Sequence, residues 1–106
     1  MTRGAEGADE AEAESMVAAD HPALAGHFPD EPLVPGLVVL ECVVAAAETA
    51  FDVRRPIAIP SVKFLAPLRP GERFQILLSR SARTSIGFEC RRQATILTRG
   101  RLIFAE

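Results

Sequence analysis

Hydrophobic and polar positions follow two different patterns in the two halves of the chain. From Leu37 to Phe51 nearly every residue is apolar and none is Gly or Pro, which indicates a buried helix of about four turns. The valines and leucines at its start leave a strand as the alternative. From Ile57 onward apolar residues recur at every second position, which is typical of half-buried strands. The pattern therefore predicts one helix followed by antiparallel strands.

Four strands are predicted after the helix. They span residues 57–65, 73–78, 86–96 and 101–105. Pro and Gly mark turns at 67–71 and 98–100, and a polar connection runs through 79–85. At Arg92 the alternation breaks, which predicts either a bulge or an exposed strand end.

The first part of the chain has a different composition. Residues 1–15 are rich in Ala, Gly and Glu, and their low hydrophobicity and acidic charge predict a frayed or disordered lead-in. A short strand is predicted at 16–20, followed by an ordered loop at 21–35 that holds four prolines. Residues 16–106 are thus predicted to form a single α+β domain, in which an antiparallel sheet wraps around the helix.

Charge is nearly balanced overall, with a net value of −2, but it is divided along the chain. Residues 1–31 hold eight acids and one base, whereas residues 53–106 hold eleven bases, ten of them Arg, and three acids. Most surface arginines are simply solvated. The alternative is a basic patch that binds an acidic partner, because the guanidinium group pairs well with carboxylates and phosphates.

Composition argues against several classes of protein. No apolar run approaches the ~20 residues that span a bilayer, and residues 1–15 lack the apolar core of a secretory signal, so we expect a cytoplasmic protein. Two cysteines, Cys42 and Cys90, and two histidines make a poor zinc set, and no metal or cofactor is expected. The lack of Trp and Tyr and a pI near 5.7 argue against nucleic-acid binding.

Candidate chemistry is concentrated around the start of the helix. His27 lies in the proline-rich loop, and an imidazole can act as a general base, although a lone His is more often structural. Glu41 lies about one turn inside the apolar helix, where a carboxylate is costly unless it is solvated, paired or functional. The alternative for Glu41 is a solvated stripe shared with Glu48. Gly36 offers a backbone N–H that could hold an oxyanion, and the alternative is ordinary turn chemistry after Pro35.

These residues resemble the FabZ-type 3-hydroxyacyl-(acyl carrier protein) dehydratases. The Gly-His-Phe-Pro loop at 26–29, the Pro-Gly pair at 35–36 and the acid at Glu41 match that family's signature. Residues 62–72 resemble the strand and Pro-Gly turn that follow the helix in the family. The resemblance runs from Met16 to the end of the chain and implies a hotdog fold.

The resemblance also implies an activity and a partner. His27 would remove the C2 proton of the substrate, Glu41 of the partner subunit would protonate the departing 3-hydroxyl, and the Gly36 N–H would polarise the thioester carbonyl. The residues implied to bind the substrate are Phe28, Pro35, Leu37 and Val44. The product would be a trans-2-enoyl thioester on acyl carrier protein, in fatty acid, polyene or polyketide biosynthesis.

The chain departs from the FabZ pattern in two ways. It is short, and Ala45 stands where the family commonly has Gln, which is closer to the compact dehydratases of aryl-polyene or polyketide clusters. The resemblance implies a homodimer or higher homo-oligomer, with a heterodimer of two hotdog subunits as the alternative. A non-catalytic acyl-carrier-binding partner and a hotdog thioesterase are the alternative functions. The set of His27, Glu41 and Gly36 favours the dehydratase.

Overall fold

The computed structural model describes residues 9–24 and 33–106. This part of the chain forms five strands, one α-helix and a short 3-10 turn at Pro22–Leu24. The main elements are β1 (Glu10–Met16), α1 (Gly36–Phe51), β2 (Ala58–Phe64), β3 (Arg73–Ala82), β4 (Ser85–Arg92) and β5 (Thr95–Ile103). The strands pair antiparallel in one sheet of order β1-β3-β4-β5-β2, so β1 and β2 are its edges.

The helix α1 confirms the prediction for residues 37–51 and begins one residue earlier. Pro35 precedes it with an extended backbone, and Asp52 ends it in the left-handed region, where its N–H donates to the Glu48 carbonyl. One face of α1, which includes Val39 and Val43, is buried, whereas the opposite face is exposed. The prediction of burial nearly all round is therefore wrong, because only one side of the helix meets the sheet. No helix within residues 9–24 and 33–106 has the length and apolar character needed to cross a membrane.

The core lies between α1 and one face of the sheet. Its central side chains alternate along β3 and β4, as the two-residue periodicity predicts. They are Phe74, Ile76 and Leu78 on β3, and Ile86, Phe88 and Cys90 on β4. Together with the buried face of α1 they form one hydrophobic cluster. The predicted α+β architecture is confirmed.

The lead-in prediction is wrong for residues 10–15. These residues form most of β1, which pairs with β3 along its whole length, so that Ala13 lies opposite Ile76. Ala and Glu alternate in this segment, which turns the small side chains toward the core and the carboxylates toward solvent. The strand predicted at 16–20 is misplaced, since only Met16 of that range belongs to β1.

The predicted strand 86–96 is two strands joined by a tight turn. Arg92 is half-buried and ends β4, and the β4–β5 register shifts between Cys90 and Arg91, so a strand end and an irregularity occur together here. Gln93 enters the turn with a φ of 56°. The turn predicted at 98–100 is wrong, because these residues lie inside β5. Gly100 serves packing instead, since a Cβ there would overlap the Ser61 carbonyl and the Phe88 ring. Most of the predicted connection 79–85 is likewise strand, because β3 continues to Ala82.

Candidate functional site

The first turn of α1 presents unpaired backbone donors. The N–H groups of Val38 and Val39 donate to the Pro35 carbonyl at 3.0 and 3.3 Å. Within the described chain, the N–H groups of Gly36 and Leu37 have no backbone acceptor, as expected for the first residues of a helix. They lie at the positive end of the helix dipole, so they are suited to stabilise a developing negative charge.

An apolar cavity of about 370 Å³ opens beside these donors. Its walls come from α1, from the end of β2 and the segment after it, and from β5, with Gly36, Val39 and Phe64 at the helix end. A Cβ on Gly36 would lie 2.6 Å from the nearest carbon of the Phe64 ring. The close approach of this ring therefore requires glycine at position 36, beyond any need of the preceding turn.

Glu41 lies outside this cavity on the exposed face of α1. It follows Gly36 by five residues, which corresponds to about 7.5 Å along the helix axis. Leu37 and Ala45 share its face, at spacings of four residues. Of the alternatives for Glu41, the single chain shows the solvated position, because this face turns away from the sheet.

The remaining predicted site residues fall in different surroundings. Leu37 is 68% exposed, Pro35 is half-buried, and Val44 is buried in the core. None of the three lines the cavity. His27 and Phe28 lie outside the described residues. Of the predicted set that the structure describes, only Gly36 reaches the cavity.

Apart from Gly36, the residues that line the cavity were not identified from the sequence, and Phe64 and Thr98 are the most informative of them. Phe64 was placed in a strand, but nothing in its spacing signalled contact with the helix start. Thr98 belonged to a Thr-Arg-Gly triplet that resembles a turn, whereas it is a buried residue of β5 that lines the cavity. The buried face of β4 is formed by Ile86, Phe88 and Cys90, and Thr98 of β5 lies opposite Cys90. The burial of Thr98 could therefore have been predicted only if the β4–β5 register had been known.

Neither cysteine is in a disulfide bond, and Cys90 is buried in the core. Burial raises the pKa of the Cys90 thiol to about 12, with smaller contributions from Cys42 and Glu89. The thiol therefore stays protonated at neutral pH. Since the thiolate is the nucleophilic form, Cys90 is unsuited to attack a thioester.

The basic residues are divided between paired and unpaired positions. The ion pairs of the described chain join Arg73 to Glu14, Arg91 to Glu89, and Arg92 to Glu72. Lys63 and Arg99 lie directly opposite each other on β2 and β5, and neither forms an ion pair within the described residues. Glu89 of β4 lies opposite Arg99 on the other side, but its carboxylate is paired with Arg91. Lys63 and Arg99 line a larger cavity of about 780 Å³ on the sheet face opposite the core. This cavity is separate from the one beside Gly36.

Known structures share this fold. The dehydratase heterocomplex ApeI:P from Xenorhabdus doucetiae matches with a TM-score of 0.79 at 24% identity, covering 96% of this chain and 93% of that one. An uncharacterised protein from Erwinia carotovora matches with a TM-score of 0.70 at 23% identity, covering 93% and 86% of the two chains. A fluoroacetyl-CoA-specific thioesterase, FlK, matches with a TM-score of 0.62 at 15% identity, covering 88% and 87%. The chain therefore has the hotdog fold, as predicted.

The sequence shows to which family this chain belongs. A family model described as ApeI-like, ApeI dehydratase, matches residues 4–101. The chain belongs to this ApeI-like dehydratase family, which confirms the resemblance to hotdog dehydratases. No curated protein matches the chain.

Proposed function

We propose that this chain dehydrates a 3-hydroxyacyl thioester carried on an acyl carrier protein and releases the trans-2-enoyl thioester. The observation that carries the proposal is the start of α1, where Gly36, whose N–H has no backbone acceptor among the described residues, lines an apolar cavity. Such a pairing of an oxyanion donor with an apolar wall suits a thioester with an alkyl group. Membership of a dehydratase family supports the reaction class.

The proposed mechanism assigns one role to each of three residues. His27 takes the C2 proton, and the electron pair of the broken C–H bond forms the C2–C3 double bond. The C3–O bond breaks, and a proton from Glu41 converts the departing hydroxide to water. Because C2 is only weakly acidic, charge develops on the thioester oxygen, and the Gly36 N–H stabilises it.

We propose further that two copies of the chain complete the site. Of the two sheet edges, β1 carries three exposed glutamates, which protect an edge against pairing. The β2 edge instead has exposed apolar neighbours, namely Ile57, Phe64, Leu65 and the nearby Leu37 on α1. A partner at this edge would cover apolar surface and bring its own loop toward the exposed Glu41.

The backbone hydrogen bonds of β2 also support a dimer formed through this edge of the sheet. The Leu65 N–H donates to the Leu97 carbonyl of β5 at 2.8 Å. Because successive residues of a strand direct their backbone groups to opposite sides, those of Val62 and Phe64 face the free edge. Pro60, which has no N–H to donate, is also compatible with an edge position. A second β2 strand can therefore pair here in a homodimer, in which His27 faces Glu41 of the partner subunit.

Two basic residues that form no ion pair among the described residues, Lys63 and Arg99, support the proposal that the substrate is bound to an acyl carrier protein. Glu89, the acidic neighbour of Arg99 on β4, is already paired with Arg91. Because like charges directly opposite each other weaken a sheet, the Lys63–Arg99 pair is suited to an anionic partner. Phe64, which follows Lys63, and Thr98, which precedes Arg99, line the cavity on the other face of the same strands. An acidic carrier docked on Lys63 and Arg99 would thus lie close to the edge of β2 and to the cavity.

The activity is tested by following enoyl thioester formation from 3-hydroxyhexanoyl groups on acyl carrier protein and on N-acetylcysteamine. We expect a higher kcat/KM for the carrier-bound substrate, and losses of about 10²–10⁴-fold in kcat for H27A and E41Q. E48Q, on the same helix, is the matched control and should keep wild-type activity. Release of free acid without enoyl product would favour the thioesterase alternative, and full activity of H27A would contradict the mechanism.

Mixing inactive subunits tests whether the site is shared. A heterodimer of H27A and E41A subunits has one intact site out of two, and half of the dimers in an equal mixture are heterodimers. Recovery of about one quarter of wild-type activity is therefore expected for a site shared across a twofold interface. No recovery, in a sample where heterodimers are demonstrated by mass spectrometry, would exclude shared sites.

A further inference from the structure

Thr98 combines burial with a polar side chain. Among the residues that the structure describes, it alone is both polar and buried, with 2% of its surface exposed. On β5 it lies between Cys90 of β4 and Phe64 of β2, on the face that packs toward α1. It also lines the cavity beside Gly36, together with apolar residues such as Leu68.

The Thr98 hydroxyl has no hydrogen-bond partner among the described residues. Buried hydroxyl groups in proteins are normally paired, because an unpaired one loses its hydration without compensation. A hydroxyl both donates and accepts, and Thr98 is one of the residues that line the cavity. Its hydrogen-bonding capacity is therefore available to a molecule that enters the cavity.

We propose that Thr98 is the polar end of an acyl-binding subsite and selects acyl groups that carry an oxygen beyond C3. This inference rests on the proposed dehydration, in which the thioester carbonyl binds Gly36 and the 3-hydroxyl meets Glu41. The group left for Thr98 therefore lies farther along the chain. Around it, Val39, Phe64 and Leu68 provide an apolar wall for the intervening carbons.

The substrate class follows from this arrangement. It consists of 3-hydroxyacyl thioesters whose acyl group bears a further hydroxyl, carbonyl or phenol oxygen. A plain alkyl group would fill the cavity but leave the Thr98 hydroxyl unpaired, and a site built around a hydrogen bond discriminates against such an analogue. One hydrogen bond of ordinary strength corresponds to a preference of about ten-fold.

A matched pair of substrates tests the subsite in the full-length protein. The probes are the N-acetylcysteamine thioesters of 3-hydroxyhexanoate and of 3,6-dihydroxyhexanoate, and kcat/KM is measured for each. We expect wild type to prefer the dihydroxy substrate about ten-fold. Thr98→Val should remove that preference by slowing the dihydroxy substrate alone, whereas Thr98→Ser, which keeps the hydroxyl, should retain it.

Leu97→Val is the control, since it alters the same wall without a polar group and should affect both substrates alike. Equal kcat/KM values in wild type would overturn the subsite, as would an equal loss on both substrates in Thr98→Val. The wild-type and Thr98→Ser comparisons remain decisive if Thr98→Val does not fold.

A binding measurement separates this inference from the proposed reaction. Hexanoyl and 6-hydroxyhexanoyl N-acetylcysteamine have no 3-hydroxyl and cannot be dehydrated, and their binding is measured by calorimetry. If wild type dehydrates neither substrate but binds the 6-hydroxy analogue about ten-fold more tightly through Thr98, the subsite stands and the proposed reaction fails. Equal affinities for the two analogues would overturn the subsite whether or not the enzyme is active.

Discussion

At the scale of single residues, Gly36 serves two purposes, an accessible backbone N–H and space for a neighbouring ring, that a residue with a side chain could not serve together. It begins α1 with an N–H that has no backbone acceptor in the part of the chain that the structure describes, and its missing side chain makes room for the Phe64 ring. The ring belongs to a half-exposed residue, so it can turn outward if a methyl group displaces it. Position 36 is therefore more sensitive in function than in stability.

Gly36→Ala tests this separation. We expect the free energy of unfolding to change by less than about 1 kcal/mol, because the gain in helix propensity offsets the displaced ring. We expect kcat to fall at least ten-fold, since the new methyl group obstructs the approach to the N–H, and removal of one oxyanion donor typically costs 10²–10³-fold. Denaturant titration and the dehydration assay measure the two quantities. In Gly36→Ala/Phe64→Ala the clash is absent, so recovery of full activity would show that the ring, and not the methyl group, blocked the site.

At the scale of elements, the sequence predicted what depends on local pattern. The α1 residues form a long apolar run without Gly or Pro, so the helix could be predicted to within a residue. The sheet pairing could not be, because β1 owes its place to alanines that become half-buried only against Ile76 and Leu78 of β3. Gly100 was predicted to lie in a turn. Glycine is needed there because of the nearby Phe88 ring, which belongs to another strand and leaves no local sequence pattern.

The residues of the candidate site were likewise predictable only where they depend on local sequence. The loop and helix motif indicated Gly36 and Glu41 because it is continuous in sequence. The cavity depends on contacts among α1, β2 and β5, so Phe64 and Thr98 could not be predicted from spacing. The sequence left the exposure of Glu41 as one of two alternatives, because an apolar helix does not reveal which of its faces the sheet covers.

The turn between β4 and β5 provides an element-scale prediction. Gln93 adopts a φ of 56°, in the left-handed region that favours glycine, whereas Ala94 does not. Gln93→Gly should therefore raise the free energy of unfolding by about 0.5–1 kcal/mol. Ala94→Gly is the matched control and should lower it, because it adds only chain entropy to the unfolded state. Denaturant titration measures the free energy of unfolding of both variants. A lower value for Gln93→Gly than for wild type would contradict backbone strain at Gln93.

At the scale of the whole molecule, the two edges of the sheet differ in chemistry. Each edge has an exposed apolar residue near it: Ile57, 68% exposed, next to β2, and Met16, 46% exposed, on β1. Among the described residues, β2 has further exposed apolar side chains at its other end, Phe64 and Leu65, whereas on β1 Met16 follows alternating glutamates. The proposed dimer therefore depends on Ile57 and not on Met16.

The pair Ile57→Glu and Met16→Glu decides between the edges. We expect Ile57→Glu to weaken dimerisation by at least ten-fold, since a charge at a covered apolar position must be desolvated, and to lower activity in parallel because each site needs both subunits. Activity should then recover as protein concentration is raised, which a local defect in the site would not produce. Met16→Glu should leave dimerisation and activity unchanged. Analytical ultracentrifugation with assays over a dilution series measures both, and dissociation by Met16→Glu alone would assign the interface to β1 instead.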